Sequence, residues 1–342
     1  MPPDVSVLMP ARDAGRTVAV ALRSVLRSRG VSLEVVAVDH ASGDDTAAIL
    51  ERAAARDPRV RLIQAPADLS LGAALELGRS RCGAPLLARM DADDLMHPER
   101  LAADVAWLRA RPGIGAVACR ARLAPRSARY DERHAGLRAY VAWQNAAQSV
   151  EDHERELWIE QPLCNPATTF RASALAAVGG WQDHPPPYPE DYDVFLRLSG
   201  AGFGLEKRPA LHHAWRVHAH TTDRVSRDLL AQVKARHLVE RFTLRDRPIV
   251  VVGAGKEGRR IARALEALGV LPTAFVDVAP DKVGRLRRGH RVRHADELGA
   301  LHRELPAAFA LGAVGIRGAR GVVRATLTAA GFVEGQSFVA VA

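Results

Sequence analysis

Cysteine is scarce: Cys82, Cys119 and Cys164 are the only three in 342 residues, odd in number, far apart and without a CxxC pair. That spacing excludes a disulfide framework and a thiolate zinc site, and leaves ordinary thiols. Aromatic residues make up only 5% of the chain, and none is interleaved with a basic run. The net charge of +9 comes mainly from arginines scattered through an alanine-rich sequence, so no nucleic-acid partner is expected. Such arginines suit anionic small molecules or a membrane surface. No apolar run approaches the ~20 residues of a membrane span. The N-terminus enters an apolar stretch within four residues, with no charged-then-apolar leader. The expectation is a cytoplasmic protein, with peripheral attachment to the inner face of the membrane left open. Nothing in the sequence fixes an oligomeric state.

What is present is ordinary globular material, 48% hydrophobic and 25% charged, without low-complexity segments. The length accommodates two domains of roughly 100–200 residues each. Val5 to Met9 is a buried-strand run stopped by Pro10. Val18, Leu22, Val25 and Leu26 recur at helical spacing up to Gly30, and Leu33 to Val38 is a second apolar run closed by Asp39. The alternation continues with a helix from about Asp45 to Ala55, a strand near Val60 to Ile63, a helix from about Leu71 and a strand from Leu86 to Met90. This predicts an α/β fold on a mostly parallel sheet, with ligands at the carboxyl ends of the strands. Pro125 to Glu160 is polar and helical without a clear period, and is expected to be a variable region that shapes a binding site. Arg247 precedes a fresh strand, Ile249 to Val252, so the division is predicted as residues 1–246 and 247–342.

Polar clusters fall just past the strands. In order they are Val7 to Asp13 (VLMPARD), Val38 to Thr46 (VDHASGDDT), Met90 to Asp94 (MDADD), Asn165 to Arg171, Val178 to Trp181 and Pro189 to Asp193 (PEDYD). This ordered set, from Val5 to about Ser226, resembles the family 2 glycosyltransferases, and the resemblance implies a GT-A nucleotide-diphospho-sugar transferase domain with a Rossmann-like sheet. Pro10, Ala11, Arg12 and Asp39 then correspond to the cradle for the nucleobase and ribose, with Gly72 beside it. A carboxylate at Asp39 can accept from a uracil imide, which favours a UDP-linked donor. Asp39 also suits a turn cap. His40 and Arg12 depart from the aspartate and asparagine common in the family.

Asp91 and Asp93 form the D-x-D. Alternation along an extended segment turns both carboxylates to one side, where they can address the ribose and a divalent ion, Mn2+ or Mg2+, on the diphosphate. A surface turn could hold the same residues, but not so readily directly after a buried strand. The resemblance implies that Asp191, paired with Glu190, is the general base for the acceptor hydroxyl. The pair would equally cap a helix from Val194 to Leu198. His218, in WRVH, matches a late motif whose histidine lies near the metal, and a surface histidine is the other reading.

In the second domain Gly253, Gly255 and Gly258 open a helix after a strand, and Asp277 ends the next strand about 20 residues on, the local context of a phosphate turn with a ribose-binding acid. The following stretch resembles the N-terminal domain of bacterial sugar acyltransferases. NAD(P) or another nucleotide there and a purely structural turn are both open readings. The function that this adds up to is inverting transfer of a sugar from a nucleoside-diphosphate sugar to a hydroxyl of a glycan or lipid-linked saccharide. Two other classes stand beside it: an NAD(P)-dependent oxidoreductase built on the glycine turn, and a non-catalytic sugar-nucleotide sensor or scaffold.

Overall fold

The computed structural model describes residues 2–125, 135–217, 225–316 and 318–342. The chain separates into two compact units, Met1–His153 with Pro162–Arg224, and Glu154–Gln161 with Val225–Ala342.

The first unit opens β1 (Val5–Ala11), α1 (Val18–Leu26), β2 (Leu33–His40), α2 (Thr46–Arg56), β3 (Val60–Ala65), α3 (Leu71–Arg79) and β4 (Leu86–Arg89). It continues β5 (Leu95–Met96), α4 (Arg100–Ala110), β6 (Ile114–Pro125), α5 (Ala135–Ala146), α6 (Val150–Glu156), β7 (Thr168–Arg171), α7 (Ala172–Ala177), α8 (Glu190–Gly200) and β8 (Gly204–Val217). One sheet runs β3-β2-β1-β4-β7-β6-β8-β5. The first four strands are mutually parallel, joined by helical crossovers. β7 then runs antiparallel to both β4 and β6. Both faces of the parallel block are covered, which is why β1 reads as a continuous apolar run: Val5, Val7, Leu8 and Met9 are all fully buried. Register sets Ala11 beside Asp39 and Leu8 beside Arg89, so the segments leaving β1, β2 and β4 emerge at one sheet edge.

Helix α4 buries charge as well as an apolar stripe. Leu101, Val105 and Leu108 face the core, but so do Arg100 and Asp104, both fully buried. Arg100 donates to the carbonyls of Pro166 (2.8 Å), Arg89 (3.1 Å) and Thr168 (3.3 Å). Asp104 accepts from Thr169 Oγ1 (2.8 Å) and from Arg208 through Nε (2.8 Å) and Nη2 (2.5 Å). These bonds tie β4, β7 and β8 to one helix. Asp104→Ala strands two buried guanidinium groups and is expected to lower unfolding stability by about 3–5 kcal/mol, read from urea titration. A loss below 1 kcal/mol would remove this cluster from the account of stability.

The second unit holds α9 (Arg227–Arg241), β9 (Ile249–Val252), α10 (Lys256–Glu266), β10 (Pro272–Asp277), the short β11 (Leu286–Arg287), β12 (His290–Arg291) and β13 (Arg293–His294), then α11 (Leu298–Glu304), β14 (Phe309–Gly312), α12 (Ala319–Ala329) and β15 (Phe338–Ala340). Its five-stranded sheet, β13-β10-β9-β14-β15, is parallel throughout. Strand order reverses on either side of β9, the doubly wound arrangement. The division differs from the 246/247 boundary expected from sequence. Helix α9 belongs to this unit, where its Asp228 pairs with Arg260 of α10 at 2.7 Å, and the short stretch Glu154–Gln161 joins it too.

Candidate functional site

A cleft of about 630 Å3 lies at the carboxyl edge of the first sheet, and its walls include Pro10, Arg12, His40, Asp44, Asp91 and Asp93. Two loops are clamped together on one side. The N–H groups of Ala14 and Gly15 donate to Thr46 Oγ1 (2.7 Å) and Asp44 Oδ2 (2.9 Å), and the Gly43 N–H donates to Asp13 Oδ1 (2.8 Å). Asp13 stands at φ 50°, the left-handed region, which aims its carboxylate across the gap. Hydrogen bonds from Thr46 and from the Gly15 N–H hold the Asp44 carboxyl below its usual range. Among the expected cradle residues, Pro10, Ala11 and Arg12 line the cleft. Asp39 sits just behind, buried, accepting from Ser42 Oγ at 2.5 Å. The His40 ring sits 2.9 Å from the Leu69 carbonyl through Nε2, a bond that secures the loop before α3. Gly72 has a packing role: a Cβ there would lie 2.2 Å from the Gln182 carbonyl oxygen, and only its neighbour Leu71 reaches the cleft.

Asp91 and Asp93 follow β4 and are partly exposed. The nearly buried Arg89 donates to Asp91 Oδ1 at 2.9 Å and to the Leu8 carbonyl at 3.2 Å, so one guanidinium fixes the D-x-D to β1. Asp94, not singled out from sequence, is fully buried. Its Oδ2 lies 2.8 Å from His213 Nε2, and its Oδ1 accepts from the Arg216 N–H at 2.8 Å. Burial, with the charge on Asp91 second, pushes the Asp94 carboxyl well above its ordinary value. Burial also drives His213 down to about 3, so its imidazole is neutral. Partners 119 residues apart leave no local signal in the sequence; only the pairing of β5 with β8 brings them together.

Asp91, Asp93 and Asp94 each offer a carboxylate oxygen, all within 4.8 Å of one another. Asp94 is committed to His213 and Arg216, which leaves Asp91 and Asp93 to face the cleft. Hard oxygen donors of this kind fit Mg2+ or Mn2+ rather than a thiophilic metal.

Glu190 and Asp191 open α8 itself, four residues earlier than the apolar pattern predicted, because the helix dipole and the free N–H groups of its first turn favour acidic side chains. The Tyr192 N–H donates to Asp191 Oδ1 at 2.8 Å. Burial, then the Asp191 charge, pushes Glu190 up to about 8, while Arg89 opposes and Asp91 adds to the shift. The acidic pair and the D-x-D therefore act on one another across about 100 residues of chain. His218 lies outside the described residues.

In the second unit the glycine turn follows β9 as expected. Gly253 is at φ 111°, where a Cβ would come 2.7 Å from the Ala313 carbonyl oxygen, and a Cβ on Gly258 would come 1.8 Å from that of Gly253. Gly255 caps α10. Asp277 does not point outward: its carboxylate accepts from the Ala254 and Ala279 N–H groups (2.8 and 2.9 Å) and from Lys282 (3.1 Å). Burial alone would raise Asp277, but these donors hold it below its ordinary range. A small cleft of about 230 Å3 beside this turn is lined by Lys234, Glu257, Arg260 and Arg320, among others. Lys234 donates to the Ile159 and Val341 carbonyls at 2.8 Å each, and Arg260 pairs with Glu257 and Asp228.

Comparison with known proteins places this geometry. The model of glycosyl transferase family 2 matches residues 6–178. The chain is 38% identical over 99 residues to the succinoglycan biosynthesis protein ExoO of Rhizobium meliloti, covering 29% of this chain and 28% of that protein. It is 28% identical over 145 residues to the amylovoran biosynthesis glycosyltransferase AmsE of Erwinia amylovora, covering 42% and 48%. The matches thus span less than half of each relative's length. Among solved structures, residues 1–349 of S. aureus TarS in complex with UDP-GlcNAc superpose with a TM-score of 0.55 at 13% identity, over 77% of this chain and 71% of that one. The mannosyltransferase PcManGT of Pyrobaculum calidifontis, in complex with GDP-Man and Mn2+, gives 0.50 at 21% identity over 77% and 69%. Both support the GT-A fold of the first unit.

Proposed function

The chain belongs to glycosyl transferase family 2, and from that premise we propose that its first unit moves a sugar from a nucleoside-diphosphate sugar, UDP-linked by preference, to a hydroxyl of a glycan or lipid-linked saccharide, with inversion. The observation that carries this reading is a cleft of about 630 Å3 walled by Asp91 and Asp93 at the sheet edge, with Glu190 of the second acidic pair near enough to feel the charges of Arg89 and Asp91. The names of the relatives, which speak of succinoglycan and amylovoran biosynthesis, point the same way for the acceptor.

In this proposal the Pro10 to Arg12 segment and Asp39 receive the nucleoside, and Asp91 and Asp93 would hold Mn2+ or Mg2+, with His218 as a further ligand. The bound ion supplies charge neutralisation for the departing diphosphate. Arg89 keeps Asp91 oriented, and the Asp94–His213 contact anchors the end of the loop. Asp191 takes the acceptor's proton as its oxygen attacks the anomeric carbon, and the sugar–phosphate bond breaks on the opposite face. Glu190, neutral below about pH 8, lets Asp191 carry the only charge of the pair. There is no long apolar helix among the described residues to cross a membrane. The second unit enters as an accessory, a role favoured by the engagement of Asp277 within its own turn.

The test is a melting-temperature panel of UDP-, GDP- and dTDP-linked sugars with and without Mn2+. A ligand at 100 times its Kd adds about 2.7 kcal/mol to the native state. At least one nucleotide sugar should raise Tm by several degrees, more with the ion than without, and release nucleoside diphosphate on addition of acceptor. A flat panel both with and without Mn2+ would overturn the proposal.

A further inference from the structure

A second cluster of metal-ligating side chains lies on the strand pair β5–β8. Leu95 pairs with Ala214 and Met96 with His213 in antiparallel register, so the next residue, His97, falls opposite His212. The backbone bears this out: the His97 N–H donates to the His212 carbonyl at 2.9 Å. Alternation along β8 turns neighbouring side chains to opposite faces, so His213 points inward to Asp94 while His212 points out. The rings of His97 and His212 stack, with centroids 4.7 Å apart and planes 12° from parallel. Glu99, exposed at the start of α4, brings a carboxylate to the same place, and one ligand atom from each of the three residues lies within 4.8 Å of the others.

Two further observations suit a ligand set. The Nδ1 atom of His212 is buried and has no hydrogen-bond partner among the described residues. Arg208 is the first of the cations that act on the His212 ring. Arg208 is itself neutralised by Asp104, so its charge does not bar a cation.

We propose that His97, Glu99 and His212 bind a divalent transition-metal ion, Zn2+ by chemical preference. Two imidazoles and one carboxylate make a borderline donor set that suits zinc, whereas the all-carboxylate Asp91 and Asp93 suit Mn2+ or Mg2+. The ion would clamp the two-residue β5 to β8. Asp94 directly precedes β5 and His213 directly follows His212, so the clamp grips both sides of the buried contact that anchors the D-x-D.

The experiment is equilibrium dialysis of the full chain, without an affinity tag, against Zn2+ in excess Mg2+, with Co2+ absorption as an independent signature of imidazole ligation. The expected result is one tightly held Zn2+, retained in Asp93→Asn and held about 10-fold or more weakly in His97→Ala and His212→Ala. His97 is exposed, so its removal leaves the core intact. Unchanged zinc affinity in His97→Ala, loss of the ion in Asp93→Asn, or no zinc retained by the parent would each overturn the site.

Discussion

Asp93→Asn is expected to lower sugar transfer by about 10³-fold while leaving the melting temperature of the free protein near the parental value. Asp93 is partly exposed at the cleft, after a strand whose own residues are fully buried. The amide keeps the shape and removes the charge that would hold the divalent ion facing the diphosphate. The effect should be largest on kcat with the ion saturating, because charge builds on the leaving group in the transition state. Asp91→Asn carries an added structural consequence, since Arg89 is nearly buried and loses its carboxylate partner. That variant should lose stability as well as activity. Nucleoside diphosphate release, followed with a metal titration for both variants, separates the two roles. Parental turnover in Asp93→Asn would remove the D-x-D from the mechanism.

The parts of this site that were legible in the sequence are those placed by local pattern. Apolar runs over β1, β2 and β4 mark the sheet edge, and Asp91 and Asp93 follow β4 there. What escaped is held by distant pairs. Asp94 with His213, and Asp104 with Arg208, are 119 and 104 residues apart, and a buried charge looks like a surface one until its partner is placed. The start of α8 was set too late because the apolar period begins at Val194, while the helix begins with the side chains that its free N–H groups prefer. Gly72 reads as a ligand-side glycine, but it answers the Gln182 carbonyl from a segment more than 100 residues on. The unit boundary moved for a similar reason: α9 is distinguished less by its own pattern than by its packing against α10, which holds Arg260.

Asp191→Asn is expected to reduce transfer by about 10²–10⁴-fold, the range for losing a positioned general base, with donor binding retained. Its neighbour supplies the control. Glu190 is protonated in the folded chain up to about pH 8, because burial and the Asp191 charge disfavour its ionised form. Glu190→Gln imitates that neutral state, so at pH 7 its rate should stay within about tenfold of the parent. Above pH 8 the parent gains a second negative charge acting on Asp91, which opposes the anionic donor, and kcat/KM should fall through an inflection that the variant lacks. The same shift has a sign in stability. The folded value lies above the ordinary 4.5, so the contribution is present in full below 4.5 and is lost as pH rises to about 8. Glu190→Gln should flatten that decline in urea titrations taken from pH 5 to pH 8. If Asp191→Asn is inactive and Glu190→Gln is active without the inflection, the base is Asp191. The opposite pattern, an active Asp191→Asn with an inactive Glu190→Gln, would transfer the proton-accepting role to Glu190 and make its raised pKa the catalytic one.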